Sequence, residues 1–94
     1  LEQKGLYVLE ALACGVPVVQ PRHGSFPELI SATGGGLLVE PNSPEALATG
    51  LGQLLRDAEL RQRLSSAGQA AVRERFTAEQ MAAATVAVLQ RFLN

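Results

Sequence analysis

Glu10 is the residue whose surroundings most call for chemistry. It interrupts Leu6-Tyr-Val-Leu-Glu-Ala-Leu-Ala-Cys14, a run that is otherwise apolar on every side. A carboxylate in such a run carries a desolvation cost unless hydrogen-bond donors, an arginine from elsewhere or a ligand offset it. Gly5 stands just before the run. There the missing side chain lets another molecule approach the free N–H groups of the first helical turn, which attract phosphate; a plain turn glycine is the alternative. At a rise of about 1.5 Å per residue, Glu10 lies roughly 7 Å along the helix from that end. That distance suits a diphosphate at the helix start and a ribose beside it, whose vicinal hydroxyls one carboxylate accepts. Glu2, on the loop before the helix, reaches the other side of the diphosphate; taken alone it is a solvated loop residue.

Other reactive side chains give less. His23 is the lone imidazole, with no second His or Cys in metal-ligand spacing and no serine nucleophile beside it, so it reads as a loop residue. Cys14 reads as an inert core thiol at the end of a buried helix. Gly34-Gly35-Gly36 lacks the spacing of a phosphate-cradling loop and reads as a turn. Gly24 falls just past the carboxyl end of a predicted strand, where open α/β sheets bind ligands, although a turn glycine accounts for it equally.

The elements that must hold these residues follow from local pattern. The run from Leu6 to Cys14 predicts a helix buried all round and stopped at Gly15. Pro17 to Gln20 predicts a strand covered on both faces, and Leu37 to Val39 a second. Between them a brief helix starts at Ser25, with Pro27 in its first turn, and ends at the glycine run. Asn42-Ser43-Pro44 starts a helix whose stripe is Leu47, Leu51, Leu54 and Leu55. After Asp57 comes another, with Leu60, Leu64, Ala67 and Ala71 on one face and Arg61, Arg63, Arg73 and Glu74 largely on the other, closed by Phe76. In the last, Thr77 and Gln80 form a capping box and Phe76 and Met81 a hydrophobic staple. Its stripe is Met81, Ala84, Thr85, Val88, Leu89 and Phe92. The expected fold class is α/β: a partial Rossmann-like layer with parallel strands, followed by three helices.

Composition bounds the partners. Ninety-four residues carry a formal charge of -1, which supplies no basic footprint for nucleic acid. They allow one domain or part of one. Cys14 is the single cysteine and no apolar run approaches a membrane span, so the expectation is a cytoplasmic protein. The chain opens at Leu1 almost inside a helix pattern, and two strands make a small sheet, so the expectation is a fragment.

The run Glu2-Gln-Lys-Gly-Leu-Tyr-Val-Leu-Glu10-Ala-Leu-Ala-Cys-Gly-Val-Pro-Val-Val resembles the Glu, seven residues, Glu motif and the EALACGxPVV segment of family 4 retaining glycosyltransferases of the GT-B fold. Gly24 with Pro27-Glu28-Leu29 is similar to the family's glycine loop and PEL segment. Gly36 to Pro41 resembles its GxLVxP strand, and Pro44-Glu45-Ala46-Leu47 its next helix. The resemblance covers residues 1–94 and implies the distal part of the carboxy-terminal, nucleotide-sugar binding domain, including the helix that crosses back toward the amino-terminal domain. It further implies that Glu10 holds the ribose, the Gly5 and Leu6 N–H groups the diphosphate, and Glu2 the donor sugar, where it orients the reacting group. Gly24 belongs to the substrate-binding loop. Gln3 and Lys4 depart from the usual Glu-Gly-Phe-Gly.

No metal or cofactor is implied. The partners are a nucleotide-sugar, an acceptor of unspecified kind and the amino-terminal domain of a parent chain, without which the fragment self-associates. A nucleotide-sugar epimerase-like enzyme and a non-catalytic binding or scaffold module of the same fold are the alternatives.

Overall fold

The computed structural model of the chain describes residues 3–75 and 78–93. Gly15, at φ 77°, stops the first helix, α1 (Gln3–Ala13), where the sequence predicts. The chain then enters β1 (Val18–Pro21) and crosses through α2 (Phe26–Thr33) into β2 (Gly36–Val39). Ser25 precedes α2 without a side-chain cap bond, Pro27 sits in the first turn, and Gly34 ends the helix in the left-handed conformation at φ 66°. The strands pair in parallel, Val18 with Gly36 through Pro21 with Val39. This β-α-β crossover carries the α/β class expected from the sequence.

Three helices follow: α3 (Pro44–Arg56), α4 (Ala58–Arg75) and α5 (Ala78–Leu93). The Ser43 hydroxyl accepts from the Ala46 N–H at 3.1 Å and starts α3. Asp57 joins α3 to α4 twice over. Its N–H donates to the Gln53 carbonyl at 3.0 Å, and its Oδ1 accepts from the Leu60 N–H at 3.0 Å. Phe76 and Thr77, and with them the proposed capping box and staple, lie outside the described residues.

Alternation along β1 splits the core. Val18 packs toward Val8, Leu9, Leu12 and Val72, and Val19 toward Leu54, Leu60 and Leu64. Thus α1 covers one face of the sheet and α3 the other, while α4 contributes Val72 to the first cluster and Leu60 and Leu64 to the second. The strand residues are half-buried, short of full coverage.

Several helix faces depart from expectation. In α3, Gly50 and Leu54 are buried while Leu47, Leu51 and Leu55 are exposed. A Cβ on Gly50 would stand 3.0 Å from Val39 Cγ1 and 3.1 Å from Val19 Cγ1, so the helix seats its glycine on the sheet and turns its leucine row aside. In α4 the buried row is Leu60, Leu64, Gly68 and Val72, and Ala67 is exposed. Gly35 meets Gly68 at this seam. A Cβ on Gly35 would lie 2.9 Å from Gly68 Cα and 2.5 Å from Leu12 Cδ2, so the glycine run is a packing contact as well as a turn. Arg61 is half-buried, and its Nη1 donates to the Leu54 and Leu55 carbonyls at 2.7 Å each, closing the end of α3.

Candidate functional site

Gly5 lies inside α1, whose described residues begin at Gln3, and not before the helix as its spacing suggests. Gln3 and Lys4 are good helix formers and extend the helix toward the amino terminus past the glycine. Gly5 and Leu6 are buried in this first described turn of α1. Glu2 lies outside the described residues.

Glu10 is half-buried near the middle of α1. Its neighbours Leu6, Leu9 and Leu12 are at most 2% exposed, Leu9 and Leu12 in the cluster shared with Val72 of α4 and Val18 of β1, but Glu10 turns toward α5. There the Thr85 hydroxyl donates to Glu10 Oε1 at 3.0 Å. The carboxylate's partner is therefore a hydroxyl from the last helix, a residue that the sequence pattern assigns to an apolar stripe. Carboxylates offer about four lone-pair sites, so this bond leaves acceptor capacity for a ligand. One signal for it stands in the sequence, a threonine amid the small and aliphatic residues of the last helix's stripe.

The rest of α1 is less enclosed than its apolar run predicts. Tyr7 is 56% exposed, and with Lys4 and Ala11 it borders a hollow of about 430 Å³ closed by Gln20, Pro21 and Phe26. The hollow runs from the first turn of α1 to the carboxyl end of β1. Lys4 and Glu10 are six residues, about 1.7 turns, apart, so the lysine looks into this hollow and the glutamate does not. Gly24 follows β1 in the loop to α2. It is exposed at φ 61°, and a Cβ there would meet nothing within 4 Å. Turn geometry accounts for this glycine, and the space above it is open. His23 is exposed in the same loop, where its carbonyl accepts from the Phe26 N–H.

The far end of α1 is held by side chains that local pattern did not reveal. Ser65 Oγ donates to the Gly15 carbonyl at 2.7 Å, and Gln69 Nε2 to the Ala13 carbonyl at 3.1 Å. They sit one turn apart on α4 and satisfy the carbonyl of the last residue of α1 and that of the turn just past it. Cys14 is exposed, contrary to the core position expected, because α1 ends at Ala13 and the left-handed Gly15 turns the chain away.

Comparison with known proteins agrees with this architecture. The family model described as glycosyl transferases group 1 matches residues 1–71. The N-acetyl-alpha-D-glucosaminyl L-malate synthase of Bacillus anthracis is 38% identical over 80 residues, covering 85% of this chain and 21% of that protein. The GDP-mannose-dependent alpha-(1-6)-phosphatidylinositol monomannoside mannosyltransferase of Mycolicibacterium smegmatis is 42% identical over 57 residues, 61% of this chain and 15% of that protein. Among solved structures, sucrose-phosphate synthase from Thermosynechococcus elongatus superposes with a TM-score of 0.70 at 28% identity, over 94% of this chain and 22% of that one. The chain belongs to the group 1 glycosyltransferase family and has the α/β architecture of the GT-B fold. It spans about a fifth of the length of the Bacillus relative.

Proposed function

We propose that these residues form the distal part of the nucleotide-sugar binding domain of a retaining glycosyltransferase, with α5 as the helix that returns toward the amino-terminal domain. The observation that carries the proposal is Glu10: a half-buried carboxylate on α1, in a segment that the family model matches throughout. Its remaining acceptor sites suit two vicinal ribose hydroxyls. The dependence on GDP-mannose in the name of the Mycolicibacterium relative supports a nucleoside diphosphate sugar as the donor class.

The Gly5 and Leu6 N–H groups at the start of α1 receive the diphosphate, so that negative charge developing on the leaving oxygen meets fixed donors. Lys4, on the hollow beside them, adds positive charge. Glu2 orients the donor sugar and is no nucleophile. The Gly24 loop closes the substrate side, its open space leaving room for backbone approach. The acceptor site and further basic partners of the diphosphate belong to parts of the parent enzyme outside these residues. No helix among the described residues is long and apolar enough to cross a membrane, and a cytoplasmic enzyme fits the single unpaired cysteine.

Calorimetry on the parent enzyme tests the assignment. Glu10→Ala should weaken nucleoside diphosphate binding about ten- to a hundredfold, the loss of a charge-assisted hydrogen bond of roughly 1.5–3 kcal/mol. Glu2→Ala should leave nucleoside diphosphate binding nearly unchanged and depress turnover with the sugar donor. The reverse pattern would exchange the ribose and sugar contacts and remove the diphosphate from the Gly5 end.

A further inference from the structure

Thr85 stands on the last helix, 75 positions from Glu10 in sequence, and its hydroxyl lies 3.0 Å from two acceptors, Glu10 Oε1 and the Met81 carbonyl. It has one proton to give. The Met81 carbonyl, one turn back, is also the ladder acceptor for the Thr85 N–H. An ionised carboxylate is the stronger acceptor, so the proton goes to Glu10. The approach of the hydroxyl to the Met81 carbonyl is the geometry that threonine adopts readily in a helix, and the stiffness of its β-branched side chain keeps the hydroxyl in the rotamer that faces α1.

A free glutamate side chain in a half-open position samples several rotamers, and its terminal torsion is broad. Anchoring Oε1 removes most of that freedom before a ligand arrives and leaves the acceptor sites of Oε2 for that ligand. We propose that Thr85 is a positioning residue for nucleotide recognition, fixing the Glu10 carboxylate in the orientation that accepts the ribose hydroxyls. The proposal rests on the assignment of Glu10 to the ribose. It gives α5 a second role besides covering α1: the ribose contact is complete only when the last helix is in place.

The test uses the full-length enzyme and, of uridine, guanosine and adenosine diphosphate, the one that binds most tightly, together with its 2′,3′-dideoxy analogue. Thr85→Val keeps the shape and loses the donor; Thr85→Ala loses the donor at a helix-favouring residue and serves if the valine variant does not fold. Either should weaken the ribose form about three- to tenfold, leave the dideoxy form unchanged and raise the donor KM without changing kcat. Thr85→Ser keeps the hydroxyl and should restore wild-type binding. If Glu10→Ala weakens only the ribose form while the Thr85 variants bind as wild type, or weaken both forms equally, the positioning role is wrong and the ribose assignment stands. If Glu10→Ala fails to distinguish the two forms, the ribose assignment falls and takes the positioning role with it.

Discussion

Glycine residues in this chain serve different ends, and substitution separates them. At Gly35 the obstacle is space, because an added Cβ meets the Gly68 backbone at 2.9 Å, where no flexible side chain can yield. Gly35→Ala should therefore cost about 1–3 kcal/mol, and the larger Gly35→Asn more. At Gly24 the obstacle is conformation, since φ is 61° and nothing lies within 4 Å. Gly24→Ala should cost about 1–2 kcal/mol for its left-handed backbone, whereas Gly24→Asn, which tolerates that region, should be nearly neutral. Thermal unfolding of the four variants checks the order, and an asparagine at Gly35 better tolerated than alanine would contradict the close packing of α1, α4 and the strand entry.

At the scale of elements, the junction of α3 and α4 concentrates its stability in few side chains. Asp57 caps α4 through Leu60, and Arg61 closes α3 through the Leu54 and Leu55 carbonyls. Asp57→Ala should cost about 1 kcal/mol, and Asp57→Ser, which keeps a capping oxygen, much less. Ser43→Ala at the start of α3 should lose a similar amount, read as a lower urea midpoint with unchanged slope. The two losses should add, because the caps sit at opposite ends of α3 and share no partner. A neutral Asp57→Ala would mean that Arg61 alone holds the junction.

For the molecule as a whole, exposed apolar side chains are the main liability. Leu47, Leu51 and Leu55 form a row along α3, with Leu55 at 77% exposure, and Val86 and Leu89 are open on α5. Met81, from the same predicted stripe, packs on the α1 cluster, while Val88 and Phe92 lie outside the described side chains. Such rows drive association when nothing covers them. Residues 1–94 made in isolation should therefore self-associate with rising concentration, seen by light scattering. The same segment should show no glycosyl transfer with any nucleotide-sugar, because the proposed acceptor site and remaining phosphate contacts lie elsewhere in the parent enzyme. Turnover by the segment would overturn that division of labour.

Element order was legible because it is written in local punctuation. Gly15, Gly34, the Ser43-Pro44 pair and Asp57 each act on the backbone within a few residues, and each marks a boundary found in the fold. The anomaly of Glu10 was legible too, since a lone carboxylate needs no neighbours to stand out. Periodicity, however, defines a helix face only relative to the helix's own axis. It could not say that α3 would turn Gly50 and Leu54, not its leucine row, to the sheet, or that Tyr7 would border a hollow. Nor could it find partners distant in sequence: Ser65 is 50 positions from Gly15, Gln69 56 from Ala13, and Thr85 75 from Glu10. Local sequence determined which segments are helix or strand and that Glu10 required a partner. Only tertiary packing, which brings α4 and α5 against α1, decided that the partner is a threonine hydroxyl.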